Sequence, residues 1–111
     1  MTATPIDPGR LRHRLVLEAP GEMPDGGGGL TRTWTPVATL WAAIKPETPG
    51  ADVIAEQPAG TVRQRVTVRA HPDIAAQRRF RLGARLLLID AVTDPDGRGR
   101  FFVCRCRETQ P

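Results

Sequence analysis

Proline and glycine punctuate this chain from end to end, 11 of each in 111 residues, and between them apolar and polar side chains alternate. Proline removes a backbone donor and glycine raises the entropic cost of order, so both work against long helices. Many turns and short strands are expected, and an all-β domain follows. Folding at this length buries about 65% of the surface that the unfolded chain exposes, which suits one small core. No apolar run approaches the roughly 20 residues that cross a bilayer, and Met1 to Pro8 lacks the basic start and apolar centre of a signal peptide. A soluble, intracellular protein with no membrane partner is the expectation.

Thr61 to Arg69 reads most clearly as a strand, with Val62, Gln64, Val66 and Val68 on one side and Arg63, Arg65, Thr67 and Arg69 on the other. Leu11 to Glu18 alternates in the same way and places His13 beside Leu15 and Leu17 as a hydrogen-bonded core or rim histidine. Ala19 to Gly29, with Pro20, Pro24 and its glycine run, reads as a mobile loop between strands. Leu30 to Thr35 resumes the alternation, Pro36 marks a bend or bulge, and Val37 to Ile44 has apolar residues on both parities, as a buried strand would. Trp41 is expected in the core and Trp34 at a shallower level.

Further on, Asp73 is placed to cap one helical turn through Gln77. Arg78 to Leu82, Arg85 to Val92 and Arg100 to Glu108 read as strands, separated by turns at Gly83-Ala84 and Asp94 to Gly97. The sum is six or seven short strands in a small antiparallel β-barrel or sandwich. Residues 11–108 form its single domain, after a flexible lead-in at 1–10. Leu15, Trp41, Val66 and Leu88 are the expected core anchors.

One long segment interrupts the hairpins. Pro46 to Gly60 is bracketed by proline and glycine, and loops longer than about 12 residues in small domains tend to be functional or disordered. It is the candidate for a moving or partner-contacting element.

The chain contains no serine, asparagine or tyrosine, which removes serine hydrolases and most sites assisted by a carboxamide or phenol. Cys104 and Cys106, two apart on a strand, leave the same face with Cβ vectors poorly aimed for a disulfide, and read as reduced, semi-buried thiols. Neither has a neighbouring base in sequence, and C-x-C is a poor match to a zinc knuckle. The glycine run before Leu30 lacks the Gly-Lys-Ser/Thr of a phosphate loop. Asp94 and Asp96 belong to a turn, and Asp90 is expected to pair with an arginine. No catalytic residue, metal or cofactor is therefore assigned, and the protein is expected not to be an enzyme.

The formal charge is +4, and Lys45 is the only lysine. Arg63, Arg65 and Arg69, spaced by two or four residues on one strand face, form a basic stripe. Such a stripe suits a protein interface or a phosphate backbone, and no aromatic residue interleaves with it to stack on bases.

The order L-R-H-R-L-V-L-E, then D-G-G-G-G-L-T-R-T-W, then V-A-T-L-W-A-A-I-K-P, then T-V-R-Q-R-V-T-V-R resembles the head-closure, or head-tail joining, proteins of long-tailed bacteriophages. The resemblance spans Leu11 to about Glu108. It implies a β-barrel subunit that forms a homo-oligomeric ring, a hexamer or dodecamer, at the neck of a phage or phage-like particle assembled in the bacterial cytoplasm. The ring would join a portal-adaptor protein on the head side to a tail terminator or tail tube protein on the tail side, and act as a stopper for packaged DNA. By position the channel loop would be Pro46 to Gly60, with Asp52, Val53, Ile54, Glu56 and Gln57 as its candidate residues and only non-specific contact with DNA. The alternative reading is a small β-barrel nucleic-acid-binding module that uses the Arg63, Arg65 and Arg69 face.

Overall fold

A computed structural model of the protein describes residues 8–47 and 61–109. A 3-10 turn at Pro8–Arg10 precedes six strands: β1 (His13–Pro24), β2 (Leu30–Pro46), β3 (Thr61–Arg69), β4 (Arg79–Leu82), β5 (Arg85–Thr93) and β6 (Phe101–Thr109). All pairings are antiparallel, and the sheet closes in the order β1-β2-β3-β6-β5-β4, with β4 returning to β1. Each half of the chain is a meander. The two halves join through β3 with β6 and through β1 with β4, pairs that are distant in sequence.

Period-two patterning accounts for the core. Leu15 and Leu17 of β1, Ala42 of β2, Val66 and Val68 of β3, Phe80 of β4, Leu87 and Ile89 of β5, and Cys104 and Cys106 of β6 all point inward and are essentially fully buried. Ile74, from the connection between β3 and β4, adds to the same cluster. Burying each large aliphatic or aromatic side chain contributes on the order of 1.5–3 kcal/mol, which outweighs the modest intrinsic preference of any one strand. Leu15 and Val66 are core anchors, as expected.

Two expected anchors are not. Trp41 is 56% exposed, because inward parity on β2 falls to Ala42 and Trp41 lies on the outer wall opposite Arg14. Leu88 is half-buried between Arg79 and Arg107 on the outer wall, because Leu87 and Ile89 take the interior. In both stretches apolar residues occupy both parities, so the pattern alone does not choose a face. His13 is exposed as the first residue of β1, outside the core.

The stretch expected to be a mobile loop is largely strand. β1 and β2 stay paired out to Pro24 opposite Leu30, whereas β1 leaves β4 after Glu18. Ala19–Pro24 and Leu30–Thr35 therefore form a two-stranded arm projecting beyond the barrel, and six residues of strand span about 20 Å. Prolines are tolerated there because an edge strand can leave alternate N–H positions facing solvent. Pro36 sits at a β-bulge: Leu17 pairs with Ala38 and Glu18 with Pro36, which leaves Val37 without a ladder partner.

Only Asp25–Gly29 makes the turn at the tip. The Asp25 carboxylate accepts hydrogen bonds from the backbone N–H groups of Gly27 at 2.7 Å and Gly29 at 3.1 Å, and these bonds lower its pKa. Gly26 and Gly28 adopt φ values of 85° and 88°, open to glycine at no steric cost.

Between β3 and β4 the expected helical turn does not form. The Asp73 N–H donates to His71 Nδ1, and Arg78 Nη1 donates to the Asp73 carbonyl, so the segment folds as consecutive turns.

Candidate functional site

The outer wall formed by β3 and β6 gathers positive charge. Arg63 lies directly opposite Arg107 and Arg65 opposite Arg105, while on the other side of β3 Lys45 lies opposite Arg65. Like charges facing each other across a ladder are destabilising. Two carboxylates relieve part of that strain. Glu47 lies 3.3 Å from Arg105 Nη2 and 3.9 Å from Arg65 Nη2, and both oxygens of Asp90 accept from Arg107 Nε at 2.9 Å. A bulge between Ile89 and Ala91 takes Asp90 out of the ladder. Arg65, Arg105 and Arg107 stay about half exposed, and Arg63 keeps a buried Nε with no hydrogen-bond partner.

Of the three arginines expected to act together, Arg63 and Arg65 stand in this face. Arg69 is at the far end of β3, with its guanidinium 5.5 Å above the Phe101 ring. Lys45, Arg105 and Arg107 were missed because they become neighbours of β3 only through sheet pairing. The alternation of Arg105 and Arg107 with Cys104, Cys106 and Glu108 was the available signal. The backbone N–H of Glu47 donates to the Arg63 carbonyl, so the two ends of the long segment leave the barrel side by side at this basic face. Asp52, Val53, Ile54, Glu56 and Gln57 lie outside the described residues.

A shallow groove of about 290 Å³ adjoins the face and is lined by Trp34, Arg79, Ala84, Leu86, Leu88 and Arg107. The Arg79 guanidinium stacks 4.2 Å from the Trp34 ring centroid, where a cation meets the negative face of the indole. Glu18 fixes Arg79 in place, accepting from its Nε at 2.7 Å and from Arg81 Nε at 3.1 Å.

A second buried carboxylate, Glu108, accepts from Arg85 Nε and Nη2 and from Gln64 Nε2, tying β6 to β5 and β3. The Arg85 hydrogen bonds lower its pKa although burial opposes them. Neither carboxylate stood out in the sequence, since a lone Glu at a strand end carries no signal of its partner.

Cys104 and Cys106 are free thiols, buried more deeply than expected. Burial pushes the Cys104 thiol up to about 12 and raises Cys106 as well. Among the described residues no three His, Cys, Asp or Glu side chains gather as a metal site.

Fold and surface thus define a small closed β-barrel with a basic wall, an apolar groove and a projecting arm. The chain matches the family of phage head completion proteins over residues 6–109, and it belongs to that family. It is similar to a chain in the virion of a native gene transfer agent particle, with 31% identity and a TM-score of 0.66, covering 88% of this chain and 94% of that one. It is also similar to the solution structure of protein SF1141 from Shigella flexneri 2a, with 29% identity and a TM-score of 0.64, covering 93% and 96%. No curated protein matches.

Proposed function

We propose that the protein is a head-tail connector subunit that forms a homo-oligomeric ring at the neck of a tailed phage or gene-transfer-agent-like particle. The ring joins the portal-adaptor protein to the tail terminator or tail tube protein. Family membership across residues 6–109, together with the likeness to a virion chain, carries this reading. The basic wall serves as a contact face for an acidic partner surface, with Arg63, Arg65, Arg105 and Arg107 as its principal groups. The segment Pro46 to Gly60, which starts and ends beside that wall, extends toward the channel and helps retain packaged DNA. Within it Asp52 and Glu56, with no arginine or lysine between Pro46 and Gly60, suit a lining that does not adhere to DNA.

The test is electron microscopy of particles produced without the protein, which should be heads that lack tails and are depleted of DNA. Normally tailed particles would remove the connector reading. Removing residues 48–60 alone should leave tails attached but reduce the DNA content of the heads.

The excess of cations on the β3–β6 wall favours a second reading, direct binding of duplex DNA. Phosphate contacts release counterions, so such binding falls steeply as salt rises. A connector should show little affinity for free duplex at physiological salt; retained tight binding there would favour the second reading.

A further inference from the structure

The arm ends in exposed apolar side chains. Leu30 is 65% exposed and Met23 58% exposed. Because Met23 pairs with Thr31 and Pro24 with Leu30, the two apolar groups lie on opposite faces of the hairpin. A two-stranded ribbon is marginally stable by itself, and large apolar residues at its tip call for a receiving surface. The tip also carries Glu22 and Asp25, both exposed, which outnumber its one cation, Arg32, paired opposite Glu22.

The groove at the arm's base has the complementary character. Leu86 is 42% exposed at its edge, next to Leu88 and Trp34, and Arg81 lies opposite Leu86. Arg79 and Arg81 share the single carboxylate of Glu18, and Arg63 stands beside the Arg107–Asp90 pair, so the surroundings of the groove keep an excess of positive charge. The tip cannot reach the groove of its own molecule. Trp34, which lines the groove, and Leu30 belong to the same extended strand, so the tip points away from it.

We infer that the acidic, apolar tip of the β1–β2 arm, with Leu30 leading, seats in the Trp34, Leu86 and Leu88 groove of a second copy, head to tail. The inference rests on the ring reading above and specifies its contact. Each copy offers one tip and one groove, so the contact is heterologous and repeats until the rotation closes it.

Particles carrying the Leu30→Cys, Leu86→Cys double variant test it, since the native thiols are buried and resist oxidation. Mild oxidation should yield a ladder of linked copies on a non-reducing gel. Particles built from a mixture of the two single variants should yield linked pairs and nothing longer. Tailed particles that contain the double variant but give no ladder would overturn the arm contact and leave the ring reading standing. Linked pairs alone from the double variant would show a two-fold exchange and overturn the head-to-tail arrangement, and links to another particle protein would assign the groove to a different partner. Absence of the protein from tailed particles would sink the connector reading, and with it this one.

Discussion

The Arg85 guanidinium forks onto the buried Glu108 carboxylate at 2.6 and 2.9 Å, while Gln64 donates to the same group from the neighbouring strand. Three strands are thereby held at one point of the barrel. Removing a buried partner strands the charge that remains, but Arg85 is 43% exposed and can be rehydrated. Glu108→Ala should therefore cost about 1–3 kcal/mol in chemical denaturation, below the roughly 3–5 kcal/mol for breaking a fully buried pair.

The same carboxylate shapes the acid limb of stability. Its folded pKa is depressed below the ordinary 4.5, with the Arg85 hydrogen bonds as the main cause. A depressed carboxylate contributes stability that is fully present above its unfolded value and disappears as pH falls through the folded one. Wild type should thus lose melting temperature from just above pH 4.5 downward, and Glu108→Gln should show a shallower fall over that window. Parallel acid limbs in the two proteins would count against the assignment.

Glu18 closes the barrel. β1 and β4 share only the pairs Val16 with Arg81, Leu17 with Phe80 and Glu18 with Arg79, and the Glu18 carboxylate clamps both arginines. Glu18→Ala should cost about 1–3 kcal/mol and speed hydrogen exchange first at Val16, Leu17 and Phe80. It should also release Arg79 from Trp34, which changes tryptophan fluorescence before global unfolding.

These two staples show how far the sequence could be read. Strand positions and the inward residues of β3 follow from alternation alone, since Gln64, Val66 and Val68 face one way and arginines the other. Glu18 and Glu108 gain their meaning from partners 61 and 23 residues away, and no local pattern encodes such distances.

Arg65→Ala with Arg105→Ala removes one of the facing like-charge pairs. Melting temperature should stay within about 2 °C of wild type or rise, because repulsion is relieved. Incorporation into particles should nevertheless fall severalfold. Arg69→Ala, which touches Phe101 away from the wall, should incorporate normally; equal loss in both variants would argue against the wall as the contact face.

Trp41→Ala should cost less than about 1 kcal/mol in denaturation, as expected for an exposed side chain on the outer wall. A core tryptophan would cost about 3–5 kcal/mol. A loss of that size would return Trp41 to the interior.

By itself the sequence determined the class of fold, the positions of most strands, the turns at Gly83 and Asp94 to Gly97, and the resemblance to head-closure proteins, because period-two patterning and turn chemistry are local. Tertiary structure decided which face is inward where both parities are apolar, as at Trp41 and Leu88, since barrel closure leaves room for one side of each strand. It also decided that the glycine-rich stretch extends as an arm, because β1 and β2 stabilise each other through pairing that no single residue reveals. Finally, pairing of β3 with β6 set Arg63 against Arg107 and Arg65 against Arg105. That basic wall exists only once distant strands share hydrogen bonds.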